Sequence, residues 1–198
     1  NSAACLTNEF YQRTIRDSGF KRCIYVAGPY GAGKSFFAQS LFLTELIPED
    51  TIVYEGSITA PAFGEKVELA IKNNIEPEII ILNPTLELSL NNIRQRAIET
   101  GRDVIKSEVV EKYADMYSNI EKLFTYLNSS FPELQTRPYP ISFQIYNKSS
   151  NVPEDLNVSY DIQDLQHGTR QSISERYDSI VKQLNIGFVE KEDERTLL

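Results

Sequence analysis

Residues 28–35 read Gly-Pro-Tyr-Gly-Ala-Gly-Lys-Ser, a complete match to G-x-x-x-x-G-K-[ST], directly after the apolar run Cys23-Ile24-Tyr25-Val26-Ala27. An apolar strand, a glycine-rich bend and a following helix form a phosphate-binding loop: the glycines turn backbone N–H groups inward, and the helix N-terminus adds its positive end. The chemistry assigns Gly28, Pro29, Tyr30, Gly31, Ala32, Gly33, Lys34, Ser35 and Phe36 to nucleotide binding. Lys34 is placed to reach the outer phosphates and Ser35 to hold Mg²⁺. This segment constrains the fold more than any other, because the loop needs a parallel strand behind it and a helix in front.

Alternating patterns continue along the chain. Residues 5–22 suggest a polar helix with Phe10, Tyr11 and Ile15 as its apolar stripe, and residues 34–46 a helix with Phe37, Leu41, Leu43 and Leu46 inward, ended by Pro48. A strand over 51–54 is halted by Glu55-Gly56-Ser57, and Pro61 opens a helix reaching Asn74. The uninterrupted apolar run in 78–82 predicts a parallel strand covered on both faces. Thr85 caps a helix that Gly101 stops. A longer helix spans 107–127, residues 141–146 read as the last strand, and 169–184 as a helix with Ile173, Tyr177, Ile180 and Val181 on one face. The order predicts a three-layer α/β fold of the P-loop NTPase type, with a mainly parallel sheet flanked by helices. Three parts are expected: a helical extension over 1–22, a kinase-like domain over 23–150, and a polar extension over 151–198 on the same domain.

A chain of 198 residues fits one domain of ordinary size. Its net charge of −8, without a basic patch, disfavours binding to a nucleic-acid backbone. No stretch approaches the roughly 20 apolar residues of a membrane span, so a cytoplasmic location without membrane contact is expected. Cys5 and Cys23 lack metal-ligand spacing, and the single histidine, His167, sits in the polar tail. Histidine triads and multi-histidine metal sites are therefore unsupported.

The loop itself serves many chemistries, so residues around it must discriminate. No N/T-K-x-D guanine-reading segment occurs, since Asn147-Lys148-Ser149-Ser150 lacks the acid, and the best buried strand ends in Leu82-Asn83-Pro84 rather than an acid. The acid immediately after an apolar strand is Glu55. If its strand lies beside the first, Glu55 opens onto the crevice of Ser35, where a carboxylate can take a proton from an attacking hydroxyl or orient Mg²⁺ through water. Phosphoryl transfer also needs cations around the migrating group. Arg94, Arg96 and Arg102 supply candidates, and since residues two apart on a helix face different sides, at most one of Arg94 and Arg96 points at the phosphates.

Several segments together resemble a known family. The loop resembles the A-G-P-N-G-A-G-K-S-T loop of zeta-toxin-like kinases; residues 96–104 resemble that family's R-x-x-x-G-G-H-x-V element; Lys112-Tyr113 falls where it has R-[FY]; and residues 145–149 are similar to its Y-D-N-S strand end. The resemblance spans about 23–150. It implies contacts from Lys34, Ser35, Arg96 and Lys112 to nucleotide phosphates and Mg²⁺, with Glu55-Gly56-Ser57 in place of the E-T-T segment of the substrate pocket. It also implies ATP as phosphoryl donor, an activated amino sugar such as UDP-N-acetylglucosamine as acceptor, and an antitoxin protein as partner. The chain departs from the family in having no Asp-ended strand with several helices between the loop helix and the Glu55 strand, Lys112 for Arg, and Arg102 for His. The leading expectation is an ATP- and Mg²⁺-dependent phosphotransferase acting on a small-molecule hydroxyl, with Lys34, Glu55 and Arg96 catalytic. The rival is a catalytically weak nucleotide-binding module, a regulatory switch acting through a protein partner.

Overall fold

The structure, a computed structural model, describes residues 2–17, 19–43, 47–58, 62–132, 141–149, 156–165 and 168–184. Four strands lie parallel with their carboxyl ends at one edge: β1 (Arg22–Ala27), β2 (Thr51–Gly56), β3 (Glu76–Pro84) and β4 (Ser142–Lys148). The sheet order is β2-β1-β3-β4-β5, and β5 (Leu156–Ser159) runs antiparallel to β4. Helices α1 (Ser2–Asp17), α2 (Lys34–Leu43), α3 (Ala62–Lys72), α4 (Leu86–Thr100), α5 (Lys106–Ser130) and α6 (Arg170–Gln183), with a 3₁₀ turn at Ile162–Asp164, complete the described elements. This is the expected α/β architecture, a mostly parallel sheet flanked by helices.

The central strands are buried on both faces because their side chains alternate between two apolar layers. Cys23, Tyr25, Ile79, Ile81, Phe143 and Ile145 join a core with α1, α3 and the C-terminal half of α5. On the other face, Ile24, Val26, Ile80 and Leu82 meet Phe37, Ala38 and Leu41 of α2. A third cluster lies between α4, the N-terminal half of α5 and α6, with Leu90, Ile93, Val109, Tyr113, Ile173 and Tyr177 at its centre. At 25 residues, α5 is about 37 Å long and serves both the sheet and this helical cluster.

Several boundaries and burials differ from expectation. β2 continues through Glu55 and Gly56, because both pair in register with Val26 and Ala27 of β1. β3 extends from Glu76 to Pro84, with prolines at its second and last positions. β4 is not the last strand: β5 adds to its free edge, the four residues Leu156–Ser159 alternating apolar and polar over too short a run to mark a strand alone. Phe10 is 73% exposed, leaving Tyr11 and Ile15 as the buried residues of the α1 stripe. Leu43, expected inward, is 83% exposed, because α2 rests on the sheet through Phe37, Ala38 and Leu41. Leu46, Pro61 and His167 lie outside the described residues. Among the described residues, no helix is long and apolar enough to cross a membrane.

The caps follow local chemistry. The Thr85 hydroxyl accepts from the Leu88 N–H at 3.2 Å, and Gly101 ends α4 in the left-handed conformation at φ +68°. Both match the expected limits of that helix.

Candidate functional site

β1 releases the chain into the glycine loop at the carboxyl edge of the sheet, where open parallel sheets bind ligands. Two glycines fix how the loop lies. Gly28 sits against β3, where a Cβ would stand 2.6 Å from the Leu82 carbonyl oxygen, and Gly31, at φ +73°, would place one 2.3 Å from the Ser89 oxygen of α4. The Asn92 amide then donates to the Gly31 oxygen at 2.8 Å, so α4 grips the loop by packing and by hydrogen bonding. At the far end, the Phe37 N–H donates to the Gly33 oxygen at 2.9 Å, closing the first turn of α2.

Within this frame Lys34 folds back over the loop, its ammonium donating to the Gly28 and Pro29 oxygens at 3.0 and 2.9 Å. Burial pulls its pKa down to about 8; the Glu55 carboxylate opposes that fall, and the Arg96 guanidinium adds to it. The Ser35 hydroxyl donates to Glu55 Oε1 at 3.1 Å. That contact follows from topology, because β2 is the neighbour of β1 and its last residues open onto the start of α2.

A cavity of about 670 Å³ covers the loop, walled by residues 30–36 together with Glu55, Asn92, Arg96 and Lys148. Arg96 follows Asn92 by four residues on α4, so the two share the helix face turned to the loop. Arg94 is exposed and does not line the cavity. Tyr30 lies against the helical cluster, its phenol pushed up by burial and by the neighbouring Glu108 carboxylate. Three cations, Lys34, Arg96 and Lys148, thus face one carboxylate, Glu55, a local positive surplus in a chain of net charge −8.

The structure brings together Tyr30, Gly31, Ala32, Gly33, Lys34, Ser35, Phe36, Glu55 and Arg96. Gly28 and Pro29 are buried beneath them. Arg102 and Lys112 do not line the cavity: Arg102 is exposed beyond Gly101, and the Lys112 ammonium lies 3.3 Å from the Glu111 carboxylate on α5. Two wall residues escaped the sequence reading, Asn92 and Lys148. The spacing of Asn92 to Arg96 was a usable signal for the first, and the position of Lys148 at a strand's carboxyl end for the second. Asn83, where other phosphate-loop proteins carry an acid, instead donates to Asn147 Oδ1 at 2.6 Å and to the Asp164 backbone oxygen at 3.3 Å.

The donor set suits Mg²⁺, which keeps several waters and binds through one or two protein oxygens and substrate phosphates. Ser35 and Glu55 supply two adjacent oxygens of that kind.

No protein-family model matches the chain, and no curated protein matches it. Among solved structures, the chain is similar to one from the PezAT chromosomal toxin-antitoxin system of Streptococcus pneumoniae, at 15% identity and a TM-score of 0.43, covering 93% of each chain.

Proposed function

We propose that the chain is a phosphotransferase that moves the terminal phosphoryl group of ATP onto a hydroxyl of a small molecule. The observation that carries the reading is the Ser35–Glu55 hydrogen bond beside a complete phosphate loop, inside a cavity with a surplus of cations. The loop amides and Lys34 bind the polyphosphate. Arg96 stands where charge on the equatorial oxygens of the migrating group is neutralised. Glu55 accepts the proton of the attacking hydroxyl as its oxygen bonds to phosphorus, while the bond from the terminal phosphorus to the bridging oxygen breaks and ADP leaves. Mg²⁺, held through Ser35, supplies further charge neutralisation when bound. The sequence resemblance to zeta-toxin-like kinases implies a nucleotide sugar as acceptor and an antitoxin as partner, with the cytoplasm, where ATP is plentiful, as the place of action.

The same hydrogen bond supports a second role for Glu55, orienting Mg²⁺ through water. Glu55→Gln separates the two. As the base, Glu55 is required for transfer at every Mg²⁺ concentration, so the variant binds ATP as wild type does but loses roughly 10²–10⁴-fold in rate. As a metal-orienting group, its loss is recovered at high Mg²⁺. The assay is labelled ATP with a panel of nucleotide sugars and other hydroxyl metabolites. ATP binding without transfer to any acceptor, and without effect of Glu55→Gln, would refute the enzyme and leave the switch reading.

A further inference from the structure

We infer that Lys148 is a third phosphate-binding cation of this site, beside Lys34 and Arg96, reaching from β4 to hold the polyphosphate at the end of the loop remote from Glu55. The inference rests on the nucleotide reading above and adds a residue to it. Neighbouring strands lie about 4.8 Å apart, so β4, two strands from β1, stands roughly 10 Å away and needs a long side chain to reach the loop. Lys148 makes that reach: its Nζ lies 3.9 Å from the point a Cβ on Gly33 would occupy, the nearest heavy atom there apart from Gly33 and its chain neighbours.

The backbone beneath it is held on two sides. Lys148 pairs in register with Pro84 of β3, and its carbonyl accepts the Thr85 N–H at 2.9 Å where α4 begins. The ammonium makes no ion pair among the described residues, and the nearby Asp164 carboxylate already accepts the Ser159 hydroxyl. Burial pushes the Lys148 ammonium down from its ordinary pKa without a carboxylate to offset it. A half-buried cation beside inward-turned loop amides is the arrangement an anion completes.

Position gives the role its direction. Glu55 stands at the carboxyl end of β2 on one side of the loop, and Lys148 at that of β4 on the other. A triphosphate whose terminal group lies by Ser35 and Glu55 therefore presents its inner phosphates to Lys148. Lys34 and Arg96 serve the transferring end.

The test is calorimetric titration of Mg-ATP and of inorganic tripolyphosphate into wild type, Lys148→Met, Lys148→Arg and Lys34→Ala, at several salt concentrations. Methionine keeps an apolar stem and removes the charge. The expected result is roughly tenfold weaker binding of both ligands to Lys148→Met, a shallower salt dependence than wild type, and substantial recovery in Lys148→Arg. A side chain needed only for packing would change neither the salt dependence nor recover with arginine. If Lys148→Met has a lowered melting temperature, Lys148→Gln is read in its place. Wild-type binding with both neutral variants within twofold overturns the role of Lys148 and leaves the nucleotide reading intact. Failure of wild type to bind either polyphosphate overturns both.

Discussion

The closest approach in the site, that of Gly31 to α4, leads to a prediction whose size can be worked out. A methyl group added by Gly31→Ala would lie 2.3 Å from the Ser89 oxygen and 2.9 Å from the Ser89 Cα and carbonyl carbon. Ordinary contacts are about 3.5 Å or longer, so loop and helix must separate by about 1 Å. Overpacking of this kind costs about 1–3 kcal/mol. The left-handed φ of +73° adds about 1–2 kcal/mol for a residue with a Cβ. Separation also breaks the Asn92–Gly31 hydrogen bond, about 0.5–1.5 kcal/mol. Together these give about 3–6 kcal/mol, a large share of the roughly 5–15 kcal/mol that holds a domain folded. For a chain of this size the melting temperature should fall by roughly 6–24 °C. Gly101→Ala is the control, because Gly101 has a similar φ of +68° but no neighbour within 4 Å of its Cβ position. It should lose only the backbone contribution, about 1–2 kcal/mol. Thermal melts followed by circular dichroism compare the two. If Gly31→Ala melts no lower than Gly101→Ala, the clamp of α4 on the loop is wrong.

Two further outcomes follow from buried ionisable groups. Lys34, with its pKa lowered to about 8, binds fewer protons folded than unfolded between about pH 8 and 10.5, so it makes the ligand-free protein gain stability as pH rises through that window. Polyphosphate binding restores the proton; ATP affinity should therefore fall above about pH 8, with proton uptake detectable by calorimetry in buffers of different ionisation enthalpy, whereas Lys34→Arg should show no such fall. The Cys23 thiol, pushed up to about 11 by burial beneath the sheet, should resist iodoacetamide in the native protein at pH 8 and react after unfolding, as read by peptide mass spectrometry. Rapid native labelling at Cys23 would contradict its place in the core.

Local pattern carried most of the fold. The loop motif, the run Ile79-Ile80-Ile81-Leu82, the Thr85 cap and the Gly101 stop each have a short-range physical cause, and each lies where it was expected. The pairing of Ser35 with Glu55 was legible too, because a strand-end acid and a loop serine meet once their strands are neighbours. What remained hidden depends on partners distant in sequence. β5 exists because β4 leaves an edge to pair with, and the alternation of Leu156-Asn157-Val158-Ser159 is too short to announce that alone. Lys148 reaches the loop only because β4 takes its place beyond β3, and Asn92 because α4 presses on Gly31. The outward turns of Phe10 and Leu43 had no sequence signal, since an apolar residue beside a helix's buried stripe reads the same whichever side it faces.

The antiparallel turn of β5 has a consequence for trimming the protein. Because the chain reverses there, it must come back across the carboxyl edge through the short 3₁₀ turn Ile162–Asp164 before α6 can lay Ile173 and Tyr177 against Leu90, Ile93, Val109 and Tyr113. A shortened version stopping near residue 150 would strip both a sheet border and a helical roof from what remains. The polar tail is thus masonry rather than ornament, and its removal bares apolar side chains behind the very helix that steadies the loop.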